Sequence, residues 1–179
     1  MSARETLQIA LFFVVLLALV KPLGSYMARV YSGDKTLAHR VLGPIERLFY
    51  RALGVREDAE TSWKTYALAM LVFNTLGLVA VYLLQRLQAS LPLNPQALPA
   101  VSADLAFNTA TSFATNTNWQ SYGGETTLSY LVQMLGLTVQ NFVSAASGMA
   151  VLIAVIRGLS RRQVETIGCF WVDLVRGTL

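Results

Sequence analysis

Three apolar runs divide the chain, separated by polar stretches of unequal length. The first extends from Thr6 to Leu23, with an unbroken apolar core from Ile9 to Val20. The second, Tyr66 to Leu84, and the third, Leu128 to Ile156, contain no charged residue. Crossing a ~30 Å hydrocarbon core takes about 20 mostly apolar residues, so each run predicts a membrane-spanning helix. The third is longer than needed, which predicts tilt, a break or protrusion. A signal peptide also has a short apolar core. Here, however, Glu5 offsets Arg4, Lys21 follows the run instead of preceding it, and "KPLGSYM" offers no small-x-small cleavage site.

The connection between the second and third runs is patterned. "SLPLNPQALPAVS" is rich in proline and turn formers and reads as irregular. "SADLAFNTATSFA" reads as a short helix, with Ser102 at the N-cap and Asp104 in the first turn. Leu105, Ala106, Phe107, Ala110, Phe113 and Ala114 make that helix largely apolar. A dozen residues at 1.5 Å each reach about 18 Å, too little to cross. The helix is therefore expected to enter and turn back, with "TNTNWQSYGGE" as the return.

Non-helical backbone at membrane depth survives only where protein covers it or where it lines water. A helix, a polar return and a second helix predict a re-entrant pore loop. The C-terminal end of the short helix, near Ala114, carries partial negative charge that favours a cation. Carbonyls of Thr115, Asn116, Thr117 and Asn118 can then replace a cation's water shell, and Glu125 would concentrate cations at the mouth. In the third run Gln133, Gln140, Ser144 and Ser147 recur at helical spacing, with Asn141 and Gly148 beside them. Such a stripe suits a bundle or pore better than lipid; Asn74 and Gly77 in the second run suit the same contact. Two plainer readings fit the same residues: an external loop carrying a surface helix, and ordinary polar glue between helices.

Composition agrees with a bilayer. The chain is 54% hydrophobic and 13% charged, with a mean hydropathy of +0.49, whereas soluble domains carry about 25% charged residues. Its net charge of +4 is unevenly spread. Lys21, Arg29, Lys35, Arg40, Arg47, Arg51, Arg56 and Lys64 lie between the first two runs, and Arg157, Arg161, Arg162 and Arg176 follow the third. Arg4 precedes the first run and Arg86 alone occupies the connection from 85 to 127. Positive residues stay inside, which puts the N-terminus and the 85–127 connection outside; the basic balance reports topology, not nucleic-acid binding. Within the inner loop "GPIERLFYRALG" reads as an amphipathic helix with Pro44 at its start and Gly54 past its end. Ile45, Leu48, Phe49, Ala52 and Leu53 share one face of it, suited to the membrane surface, a partner or the rest of the protein. Cys169 is the single cysteine and reads as a buried thiol; His39, the single histidine, reads as a solvated one. No metal-ligand spacing, phosphate loop or catalytic triad pattern occurs. Asp104 and Glu125, about twenty residues apart with no His or Cys companion, make a poor catalytic pair.

The stretches "KPLG", "ERLFYRALGV", "LPLNPQ", "DLAFNTATSFATNTNWQSYGGETTLSY" and "GLTVQNFVSAASGMAV" resemble the N-terminal part of the potassium-binding subunit of bacterial Kdp-type potassium-transporting ATPases. The resemblance implies an all-α membrane protein related to potassium channels: one leading helix, then four segment–pore loop–segment repeats. On this chain it implies a first helix at 1–23, an inner loop with the amphipathic helix at 24–65, the first repeat at 66–157 and a tail at 158–179. It makes Thr115, Asn116, Thr117, Asn118 and Trp119 a filter strand, with Gln120 a further selectivity residue and potassium held at the backbone of Thr115, Asn116 and Thr117. It also implies no catalysis by this subunit, a P-type ATPase subunit and small accessory subunits as partners, and residence in the bacterial inner membrane. The chain ends at Leu179, inside the expected approach to another helix ("CFWVDLVRGTL"). It is therefore expected to be a fragment, and the other function on the table is a truncated, non-transporting membrane scaffold or assembly partner.

Overall fold

Helix α1 runs from Ala3 to Ser32, passing through Pro22 and continuing beyond Leu23. Proline lacks the N–H that would bond the carbonyl of Ala18, a loss that membrane helices tolerate. Helix α2, His39–Leu53, begins before the expected Pro44, which lies inside it. Both helices end in the same way. Gly33 (φ 80°) and Gly54 (φ 64°) adopt the left-handed conformation. Paired bonds close each end: Gly33 N–H to Val30 O with Asp34 N–H to Arg29 O, and Gly54 N–H to Arg51 O with Val55 N–H to Tyr50 O. A glycine that can adopt positive φ is what stops each helix.

The computed structural model describes residues 3–161 and 164–179; Arg162 of the basic tail lies outside the described residues. The chain forms two compact units, Met1–Leu48 and Phe49–Leu179. Among the described residues the regular structure is helical, apart from an isolated antiparallel bridge between Ser62 and Thr166. Among the described residues three helical stretches are long and apolar enough to cross a membrane: Arg4–Ser32, Trp63–Ser90 and Val132–Ser160.

The second unit contains the site. Helix α3, Trp63–Leu87, starts at Ser62, whose Oγ accepts from Thr65 N–H, and ends in a tighter turn over Gln88–Ser90. The irregular stretch after it is pinned by Asn94, whose amide bonds Gln88 O, Leu98 O and Leu98 N–H. Helix α4, Ala103–Ala114, is the expected short helix; Ser102 stands at its N-cap, though its hydroxyl makes no capping bond. A single turn, α5 (Gly124–Thr127), follows the polar return. The third apolar run then opens as a wide π-helical segment, Val132–Thr138, before continuing as α6, Val139–Ser160. The run is not interrupted there: the π segment continues directly into α6, with the Thr138 hydroxyl bonding Gln133 O five residues back. Such segments cluster at functional sites. Helix α7, Phe170–Thr178, completes the unit.

Three buried clusters hold this unit together, the smallest being Tyr50, Cys169, Val172 and Val175. Val81, Ala106, Ala110, Phe113, Leu128 and Val132 join α3, α4 and the π segment. Tyr66, Ala146, Ala150, Ala154, Phe170 and Leu174 join α3, α6 and α7. The alanines along α6 let the helices approach closely, as small residues do in membrane proteins. The core between α3, α6 and α7 surrounds a polar cluster, in which the Asp173 carboxylate receives two bonds from Arg157 and lies 3.0 Å from the Tyr66 hydroxyl.

Candidate functional site

Residues 115–120 begin where α4 stops, and they fold back on the end of that helix. Thr115 N–H and its hydroxyl both bond Thr111 O, at 3.0 and 2.8 Å. Asn116 N–H reaches Phe113 O at 3.3 Å. The amides of Thr117 and Asn118 converge on one acceptor, Ser112 O, at 3.0 and 3.3 Å, and the Thr117 hydroxyl reaches it at 3.1 Å. Ser112 itself is buried and donates through Oγ to Trp119 O at 2.9 Å. The last turn of α4 is thus capped by the polar strand that it introduces.

This convergence follows from the backbone angles. Thr115 lies at φ −89°, Asn116 at 55° and Asn118 at 56°, with Thr117 between them outside the left-handed region. Alternating right- and left-handed residues gathers successive N–H groups on one side of a chain, which leaves the carbonyls for the other. Among the described residues no hydrogen bond is donated to the carbonyls of Thr115, Asn116, Thr117 or Asn118. Trp119 differs, because Ser112 occupies its carbonyl. Asparagine is the side-chain-bearing residue that best tolerates positive φ, which explains an Asn at every second position of "TNTN".

Side chains tie the strand down. Asn118 Nδ2 donates to Asn116 Oδ1 at 3.2 Å and to Asn141 Oδ1, on α6, at 2.9 Å. The Ser144 hydroxyl, one turn further along α6, lies 3.4 Å from Asn116 Oδ1. Thr115 and Thr117 share a hydroxyl contact at 2.8 Å. Gln120 turns back to the Tyr122 hydroxyl at 3.3 Å. Burial pushes the Tyr122 phenol above its ordinary pKa against the smaller opposing effect of Gln120, so it remains protonated at neutral pH. Glu125 lies in the first turn of α5, exposed and apart from these bonds.

The sequence-predicted strand Thr115–Gln120 is therefore one continuous, exposed segment. Of the polar stripe on the third run, Gln140, Ser144 and Ser147 are buried, and Asn74 donates to Ser147 at 3.2 Å. Sequence reasoning missed Ser112 as the capping hub and Asn141 as an anchor; a small polar residue in the last turn of α4 was the available signal for the first. It also missed Gln85 and Gln88, both fully buried. Gln88 bonds Pro99 O, Thr127 O and Ser129 N–H, tying both ends of the segment that holds α4 and the polar strand to the turn that follows α3. Beside the strand, Asp104, Asn108 and Thr111 line an open cleft with Tyr82 and Trp119. Among the described residues the Asn108 Oδ1 and Thr111 Oγ1 atoms are buried without a hydrogen-bond partner.

Residues 10–179 match the family model of the potassium-transporting ATPase A subunit. The chain belongs to that family. Among curated relatives of the A subunit, the potassium-transporting ATPase potassium-binding subunits of Sorangium cellulosum and Herpetosiphon aurantiacus are 64% and 63% identical over all 179 residues of this chain. The subunit of that name from Methylococcus capsulatus is 65% identical over the same length. This chain spans only 30–31% of those relatives' length. Within it, the polar segment after α4 is followed by the single turn α5 and then by the long helical run that includes α6.

Proposed function

We propose that this chain is a potassium-binding, pore-forming part of an ATP-driven potassium importer of the bacterial inner membrane, with its N-terminus outside. Potassium arriving from outside is selected by the backbone carbonyls of Thr115, Asn116 and Thr117, with Asn118, Trp119 and Gln120 completing the strand. Glu125 raises the local cation concentration at the mouth. ATP hydrolysis belongs to a separate P-type catalytic subunit, joined by small accessory subunits.

The observation that carries this reading is the row of carbonyls from Thr115 to Asn118, which accept no hydrogen bond among the described residues while the neighbouring amides are satisfied. Neutral carbonyl dipoles replace a hydration shell without trapping the ion as a carboxylate does. The negative end of the α4 dipole acts in the same direction. One strand cannot enclose an ion, so further strands must complete the filter. The unpartnered Asn108 and Thr111 oxygens in the adjoining cleft support such additional packing.

The test is potassium uptake by the assembled transporter carrying Gln120→Arg or Asn116→Asp. Either change should raise the potassium KM or abolish uptake. Unchanged uptake in both would overturn the assignment. The competing reading, a non-transporting scaffold, is favoured by the one-sidedness of the strand. It gains if potassium and sodium raise the Tm of the assembled complex equally.

A further inference from the structure

The left-handed residues of the strand are held by side chains, not merely permitted by residue type. Asn118 Nδ2 has two protons and places them on two acceptors, Asn116 Oδ1 at 3.2 Å and Asn141 Oδ1 at 2.9 Å. One amide therefore connects both positive-φ residues of the strand to α6. Ser144 Oγ approaches Asn116 Oδ1 from the same helix at 3.4 Å. Asn141 follows directly on the π-helical segment Val132–Thr138 and the first residues of α6. Because a π turn takes more residues than an α turn, that segment helps set which residue of α6 meets the strand.

We infer that Asn141 is a positioning residue for ion selection: it fixes the Asn118 amide and, through it, the left-handed conformations that gather the carbonyls. The inference rests on the filter reading above. Glycine at 116 and 118 would permit the same backbone but leave it free to move. Asparagine anchored from α6 makes it stiff, and a stiff row of carbonyls discriminates between ions that differ mainly in size. Among the described residues the Asn141 side chain bonds the Asn118 amide and no carbonyl of the strand, so it acts through Asn118.

The test uses the assembled transporter and follows potassium uptake, inhibition of uptake by sodium, and thermal unfolding. Asn141→Ala should lower the preference for potassium over sodium severalfold, with no more than the small fall in Tm that losing one exposed hydrogen bond brings. Asn141→Gln keeps a neutral amide acceptor for Asn118 and should retain more of the preference than Asn141→Ala. In a double-mutant cycle Asn118→Ala and Asn141→Ala should be non-additive, because both break one contact. The inference is overturned if Asn141→Ala leaves the preference intact, if it only lowers Tm, or if the two changes add. Asn116→Val separates the two claims. If Asn116→Val impairs selection while Asn141→Ala does not, only the positioning role fails. If neither affects selection, the filter reading fails and takes the positioning role with it.

Discussion

Arg157 of α6 grips Asp173 of α7 at two points, at 2.5 and 2.9 Å, with the Asp173 side chain 1% exposed. The Tyr66 hydroxyl of α3 lies 3.0 Å from the same carboxylate and 2.7 Å from Ala150 O. Three helices thus meet on one buried anion. Removing one member of a buried pair strands the other in a medium that solvates it poorly, at a cost of about 3–5 kcal/mol. Asp173→Ala should therefore destabilise the second unit by that order, whereas Arg56→Ala, whose partner Asp58 is on the surface, should change little. Thermal unfolding in detergent micelles provides the comparison, and equal effects would exclude Arg157–Asp173 as a stabilising contact.

Gln88 does a comparable job with neutral groups. Its side chain is fully buried and satisfies two carbonyls and one amide across Pro99, Thr127 and Ser129. Leucine fills a similar volume but leaves those three backbone groups without partners, each worth about 1–3 kcal/mol. Gln88→Leu should cost at least about 2 kcal/mol and loosen the strand. Hydrogen exchange at Ser129 N–H should accelerate in the variant, and an unchanged rate would contradict the role assigned to Gln88.

At Asn116 the backbone itself can be tested. A β-branched residue at φ 55° is strained, and left-handed conformations cost L-residues about 1–2 kcal/mol. Asn116→Val should lower stability by about that amount, while Asn116→Gly should be tolerated by the backbone and forfeit only the contacts of its amide. Denaturant unfolding of the two variants gives the order directly; the reverse order would mean that the positive φ is not maintained in solution.

The large features were legible because bilayer physics writes them coarsely. Charge-free runs of spanning length gave α3 and α6, and the polar interruption gave α4 and the strand from Thr115 to Gln120. Gly54 marked the end of α2 correctly, since only a left-handed stop fits there. Other features depend on partners distant in sequence. Nothing in "QRLQAS" says that Gln85 and Gln88 turn inward; their partners are up to 41 residues away. Likewise, a wide π segment leaves no mark in "VQMLGLT", because hydrophobic spacing barely distinguishes it from an α turn. The alternation of Asn in "TNTN" was visible, but its meaning emerged only with the φ values.

Glu60 gives a prediction about pH. Its carboxylate accepts Arg161 at 3.1 Å through each oxygen and Gly168 N–H at 2.8 Å, fastening the connection before α3 to the one before α7. Partial burial pushes its pKa up, but the hydrogen bonds from Arg161 and Thr166, the charge of Arg161 and the Gly168 amide together hold it below the ordinary value. A carboxyl whose folded pKa is depressed binds its proton more readily when unfolded. Its contribution to stability is therefore complete above the ordinary glutamate pKa of about 4.3 and fades as pH falls through the lower folded value. Both partners are partly exposed, so salt should weaken the effect. Wild type should lose stability relative to Glu60→Gln as pH drops below about 4.3, and the gap should narrow in high salt. Parallel Tm–pH curves for the two proteins across that range would mean that Glu60 has the same proton affinity folded and unfolded.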